Sequence, residues 1–452
     1  MKTWQFKRSK TSSFWPTLMG LVTVLIPLHV LTRGALAADP PIGPLSNPLN
    51  NPLNSPLSSN DRLRQFMEQV RPQPLASQAG DQAVRDAAVV SPARLQERAE
   101  LLKAGESALA RLDVNAALDA LERAALILHA ADTEIALVRA YMQAGDYQRA
   151  LAFGAHTAGS HLDVIGGATL YAWLLHVGGQ PALAQRMLAA SESRMPGHRL
   201  VAAVQQQLQS NQPVATGQLL TPPTRLAPYG NTLGLPDKAR VVGSALLLQS
   251  GTGALLPLSL LPRSGKLWLR NGLGQLVKAQ PEKRFADLNV ALVRLDSPLP
   301  VPEELLVAPG EAFPGSLGFA VEYVSTPNAA PAWPVLRSGS LGSAEGDSDE
   351  QLLGIDMPAG PRGGPVFDSF GRLVGLALPA SARAAGAAGA EKAPDNKLVP
   401  VSQLRKALRE AVASEQLSVQ SVPSPSGPRL RGLVDRIYEA SLKSSLQVIT
   451  AP

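Results

Sequence analysis

The sequence predicts a multidomain fold, an α-helical repeat module followed by an all-β domain of barrel or sandwich type. Three observations carry this. At 452 residues with 45% hydrophobic content, the chain exceeds what one ordinary core holds. From about Ser91, alanine and leucine recur at helical spacing with few breakers. From residue 238 the texture turns to short apolar or alternating runs punctuated by glycine and proline, as strands require.

The first residues address the compartment. Lys2, Lys7, Arg8 and Lys10 precede an apolar run from Leu18 to Leu31, and Ala35-Leu36-Ala37 supplies a small-x-small cleavage site. A secretory signal peptide over 1–37 is expected, with a periplasmic or secreted mature chain that has no membrane span after cleavage. An uncleaved anchor is the alternative; the run falls short of the ~20 residues a span needs and is broken by Pro27. The chain has no cysteine, which excludes disulfides, a thiol nucleophile, a thiolate metal site and a lipidated cysteine. Removing the five basic residues of the leader, those four plus Arg33, takes the formal charge from +6 to +1. That is no electrostatic footprint for nucleic acid.

Residues 38–60 hold recurring Asn-Pro-Leu units, whose proline density blocks helix and sheet, so a flexible spacer is expected. A short helix and linker follow over 61–90. Within 91–212 three segments align: LDVNAALDAL from Leu112, GDYQRALAFG from Gly145 and GGQPALAQRM from Gly178, each 33 residues after the last. A period this close to 34 points to helix-turn-helix repeats. These segments resemble tetratricopeptide repeats, in which a small residue closes the turn and an alanine near the start of the second helix lets the helices approach. Gly145 and Gly178 match the turn and Leu112 departs from it; Ala117 and Ala150 match the alanine and Leu183 departs. Pro196 falls where that family often ends its second helix, and its consensus tryptophan is missing. A generic α-solenoid or bundle is the alternative. Either way, stacked hairpins leave a concave face suited to a protein or peptide partner, here one in the cell envelope.

Residues 213–237 lose the helical period and gain proline and glycine, as a linker should. Over 238–412, four segments occur in a fixed order: VVGSALLLQSGTGALL, LNVALVRL, GPRGGPVFDSFGRLVGLAL and NKLVPVSQLRKAL. In this order they resemble the opening hairpin, aspartate strand, nucleophile turn and closing strand and helix of trypsin-like serine peptidases of the HtrA type. The resemblance implies an all-β two-barrel fold. It also implies three catalytic positions, and each is altered: Leu260 stands for the histidine, Asn289 for the aspartate and Arg362 for the serine.

Serine catalysis needs a hydroxyl activated by an imidazole that a carboxylate orients. The six histidines end at His198, so the β domain has no general base in any register. Arginine stays protonated and is no nucleophile. Asp287 lies two residues from Asn289, and Ser259 and Ser369 are the nearest other hydroxyls, the latter in a turn-like DSFG. Gly360, Arg362 and Gly363 mark a vestigial binding cleft. Arg362 is expected either as a tolerated surface residue or projecting into that cleft, paired with a partner's acid, Asp356 or Asp368. His156, His161 and His176 show neither i,i+4 spacing nor adjacent carboxylates, so no metal and no cofactor is expected.

After a flexible 413–428, the segment 429–452 regains order, with Leu430, Val434, Ile437 and Leu442 near helical spacing and LQVI suited to a strand. It is expected to pack back on the chain or to dock on a partner. The functional expectation is an exported, non-enzymatic binding or scaffold protein with a catalytically inactive trypsin-like domain. An atypical active serine endopeptidase is the alternative.

Overall fold

The computed structural model describes residues 90–210, 212–214, 217–303, 305–342, 351–358, 362–379, 396–411, 417 and 430–451. The expected leader, spacer and short helix over 1–89, the 413–428 linker apart from Leu417, and Gly360 lie outside them. Among the described residues no helix is long and apolar enough to cross a membrane.

Among the described residues, seven helices come first: α1 (Pro92–Ala110), α2 (Val114–Ile127), α3 (Ala131–Ala144), α4 (Tyr147–Ser160), α5 (Ile165–Val177), α6 (Pro181–Arg194) and α7 (Arg199–Ser210). Local chemistry starts them. Asp113 and Asp146 cap α2 and α4, accepting the N–H groups of Ala116 at 3.2 Å and Arg149 at 3.0 Å, and Pro181 opens α6. The first six form three antiparallel hairpins. Their tight turns are closed by residues with positive φ: Leu112 (62°), Gly145 (80°) and Gly179 (83°). The third turn residue is therefore Gly179, whereas Gly178 has an ordinary φ of −79°. The same one-residue slip moves the helix-contact position from Leu183, which is half-buried, to Ala184, which with Ala117 and Ala150 is fully buried. Spacings of 33 and then 34 residues thus give three equivalent hairpins, each with an alanine where two helices touch.

Residues 213–237 are not a free linker. Val214, Leu219, Leu226 and Ala227 are buried, and the Tyr229 N–H donates to Gln143 Oε1 at 2.9 Å while its hydroxyl donates to Glu106 at 3.0 Å. Gln143 also donates to the Leu273 carbonyl, tying α3 to the β domain.

The β domain comprises β1 (Arg240–Leu247), β2 (Gly253–Pro257), β3 (Lys266–Asn271), β4 (Leu276–Phe285), β5 (Val290–Leu295), β6 (Ser316–Glu322), β7 (Val335–Leu341), β8 (Gln351–Ile355), β9 (Pro365–Asp368), β10 (Leu373–Leu378) and β11 (Asn396–Pro400). After these come α8 (Val401–Ala411), α9 (Leu430–Ser444) and β12 (Ser445–Ala451). The strands form two closed antiparallel barrels of six strands each, which fit the trypsin-like fold. Around the second barrel, neighbours run β6-β7-β8-β11-β10-β9, that is first, second, third, sixth, fifth and fourth in chain order. The first barrel runs β12-β1-β2-β5-β4-β3, the same order once β12 is counted as its first strand.

The expected boundary at 412 therefore does not bound the first barrel. β12 pairs with β1 on one side, Arg240 opposite Thr450, and with β3 on the other, Leu267 opposite Thr450. Its alternation explains the docking: Leu446 and Val448 enter the barrel interior beside Leu247, Leu256 and Leu269, while Ile449 faces out against Val241 and Trp268. The described residues 434–451 of this segment are thus packed on their own chain. Ahead of β12, α9 lies against α4, with the rings of Tyr147 and Tyr438 4.5 Å apart and edge-on, and the Tyr438 hydroxyl donates to the Pro334 carbonyl at 2.9 Å.

Candidate functional site

The Gly-Gly-Pro turn sits where the barrels meet. The Ser244 N–H of β1 donates to the Arg362 carbonyl at 3.2 Å, and the Ser244 hydroxyl accepts from the Tyr323 N–H at 2.7 Å. Gly363 adopts φ 114°, and a Cβ there would lie 2.0 Å from the Ser244 carbonyl oxygen and 2.5 Å from Pro257 Cδ. Only glycine allows both that backbone angle and that approach. The Gly363 N–H donates to the Ala377 carbonyl at 2.8 Å, so the turn is also stitched to β10.

Leu260 and Asn289 both lie on the first barrel. A 3₁₀ turn over Leu258–Leu260 follows β2, and the Leu258 N–H donates to the Asn289 carbonyl at 2.9 Å. Leu260 is buried in the interior cluster of that barrel, and Ser259 is exposed. Asn289, exposed, holds the left-handed conformation (φ 53°, ψ 35°) that ends a 3₁₀ turn over Ala286–Leu288. Asp287 lies in that turn and is exposed, not on the strand face. Ser369 occupies the β9–β10 turn, where Asp368 accepts the N–H groups of Phe370 and Arg372, each at 2.9 Å.

Arg362 is neither a surface residue nor a partner of the expected acids. Its side chain is only 6% exposed; Nε donates to Asn396 Oδ1 at 3.0 Å, Nη2 donates to the Met357 carbonyl at 3.3 Å, and Nη1 lies 3.7 Å from Glu322 Oε2. Asp368 pairs instead with Arg372 at 2.7 Å, and Asp356 is exposed. Asn396 is held in turn, donating to the Ile355 carbonyl at 3.4 Å. Glu322, at the end of β6, is the acid that composition and motif reading missed. No sequence pattern marks it, because its neighbours come from β7 and the Gly-Gly-Pro turn.

The electrostatics of this group are those of buried charge. Burial raises the Glu322 carboxyl to about 7 against the opposing pull of Arg362 and of Arg337, whose Nε is 3.9 Å away. Burial likewise lowers the Arg362 pKa, with Glu322 opposing. Glu322 and Arg337 also line a cavity of about 20 Å³ against α5, with Trp173, His176, Tyr323 and Trp333, room for a single water. His176 stacks on Trp173 with ring centres 5.4 Å apart, and burial with Arg337 nearby lowers its pKa to about 4.

The other expected histidines lie elsewhere on the helical module. His156 of α4 and His161, the C-cap that follows it, meet His129, from the α2–α3 connection, around the buried carboxylate of Glu134 in the first turn of α3. Sequence reading passed over His129 and Glu134. The available signal was the pair His129/Glu134 answered 27 residues later by His156/His161, each pair five residues apart.

No family model and no curated protein matches the chain. Among solved structures, the chain is similar to the Rv3671c protease of M. tuberculosis in its active form, at 14% identity over 40% of this chain and 85% of that one, with a TM-score of 0.29. It is similar to the inactive form of that protease at 13% identity over 39% and 88%, with a TM-score of 0.30. The fold assignment rests on the order and closure of the two barrels.

Proposed function

We propose that the chain is an exported, non-enzymatic protein-binding or scaffold protein, in which tetratricopeptide-like repeats carry a trypsin-like domain that has lost its catalytic triad. One observation carries the reading: the Arg362 guanidinium, at the position that the resemblance assigns to the nucleophilic serine, is buried and tied to Glu322, Asn396 and Met357. A side chain so engaged is a structural part of the second barrel. A protonated guanidinium is no nucleophile.

Two further facts support it. The position corresponding to the general base, Leu260, is core, and no histidine follows His198. The repeats are fused to the barrels through Gln143, Tyr229 and the Tyr147–Tyr438 contact, so the helical array and the barrels present one continuous surface to a partner. The partner class is a protein or peptide of the cell envelope.

The test is labelling of the purified protein with a fluorophosphonate, beside an active serine peptidase as control. No adduct is expected. An adduct abolished by Ser259→Ala or Ser369→Ala would replace this reading with that of an atypical serine endopeptidase.

A further inference from the structure

We infer that the α3/α4 hairpin carries a binding site for a divalent transition-metal ion of the zinc class, formed by Glu134 together with His129, His156 and His161. This site is independent of the proposed function of the barrels.

The geometry is that of a ligand set. His156 Nε2 lies 3.4 Å from Glu134 Oε1, His161 Nε2 lies 3.3 Å from Glu134 Oε2, and His129 Nε2 and His156 Nε2 are 3.4 Å apart. Zinc–nitrogen and zinc–oxygen bonds of about 2.0–2.1 Å in a tetrahedron place neighbouring ligand atoms roughly 3.3–3.4 Å from each other. The one shorter separation, His129 Nε2 to Glu134 Oε1 at 2.5 Å, is a hydrogen bond that an ion would open. Donor atoms of His129, Glu134 and His161 all lie within 4.8 Å of one another; His156 reaches His129 and Glu134 but stands outside that group, and would complete the set by a turn of its half-exposed side chain.

Hydrogen bonding alone leaves this cluster incomplete. Glu134 is 3% exposed and His161 9%, yet the buried His161 Nε2 and Glu134 Oε2 make no hydrogen bond among the described residues. Buried polar atoms are nearly always satisfied, and those that are not call for an explanation.

The elements suit the purpose. His156 Nδ1 is 3.4 Å from the Ser160 hydroxyl, an outer contact that can orient the ring. Three imidazoles and one carboxylate select zinc, cobalt, nickel or copper over magnesium or calcium, which take oxygen ligands. His129 and His156 are about half exposed, so an ion can enter without unfolding the hairpin. Bound there, it would clip the α2–α3 connection to the end of α4.

The experiment is a titration of the purified, tag-free full chain with cobalt(II), read by visible absorption and calorimetry, with zinc(II) as competitor. One equivalent with the strong absorption of a tetrahedral site is expected, displaced by zinc. His129→Ala and His156→Ala, both at exposed side chains, should each weaken binding roughly tenfold or more. His176→Ala and His198→Ala should leave it unchanged, and zinc should raise the melting temperature of the parent chain but not of His129→Ala. Failure to saturate at one equivalent, or equal affinity in the parent, His129→Ala and His156→Ala chains, would overturn the site.

Discussion

The Arg362 guanidinium and the Glu322 carboxylate face each other across 3.7 Å, both buried, and neither Glu322 oxygen accepts a hydrogen bond among the described residues. A buried pair of this kind contributes little net stability, yet removing one partner strands the other. Arg362→Ala should therefore cost about 3–5 kcal/mol in urea unfolding. The double substitution Arg362→Met with Glu322→Leu should recover most of that loss. A single change as mild as the double one would show that the pair is not coupled.

Glu322 also sets a pH dependence. Its folded pKa, raised by burial to about 7, exceeds the ordinary value of 4.5, so the folded state holds the proton more tightly than the unfolded chain. Its contribution is fully present below pH 4.5 and is lost as pH rises through 7. At 1.36 kcal/mol for each pH unit between the two values, the parent should lose about 3 kcal/mol relative to Glu322→Gln over that span. The opposing titration of His176 is common to both chains and drops out of the difference. A constant difference between the two stability curves from pH 4.5 to 7.5 would refute this assignment.

Gly363→Ala places a methyl group 2.0 Å from the Ser244 carbonyl oxygen at a φ of 114°. Strain and collision add, and the loss should be at least about 3 kcal/mol. Because the collision lies between the barrels, a crystal structure of any folded product should show them moved apart at Ser244 and Pro257.

Removing residues 445–452 deletes β12 and exposes the facing edges of β1 and β3. Leu446, Val448 and Ile449 are fully buried, and each contributes roughly 1.5–3 kcal/mol. Their sum rivals the about 5–15 kcal/mol by which a whole domain is stable. The truncated chain should be aggregated or unfolded by circular dichroism. A soluble product with the parent's melting temperature would mean that β12 is dispensable.

The protein-binding role is checked by photocrosslinking in cells from position 126, where Leu126 of α2 is 82% exposed, beside position 313 on the β domain, where Phe313 is equally exposed. Capture of one envelope protein from position 126 alone would place recognition on the repeats, and capture from position 313 alone would place it on the β domain. No specific capture from either would count against binding.

What was legible in the sequence was what depends on neighbours along the chain. The repeated glycines and alanines and the Gly-Gly-Pro motif are local, and they located the helical hairpins and the turn of the second barrel. The slip from Gly178 to Gly179 was hidden because two adjacent glycines read alike, and only backbone φ separates them. Glu322, the histidine cluster and the role of β12 were hidden for the opposite reason. Each is made by residues brought together from separate elements, and only the histidine cluster left a trace in the sequence, its two five-residue pairs 27 positions apart.

The union of Arg240 with Thr450 has a consequence for the order of events in folding. These partners lie 210 positions apart, and the whole second barrel is laid down between them. Closing so long a loop carries an entropy cost that local pairing does not. The strands of the second barrel lie in one stretch of chain, 316–400, whereas the first is complete only when 445–451 join β1 to β3. The half of the fold written first is thus the half completed last.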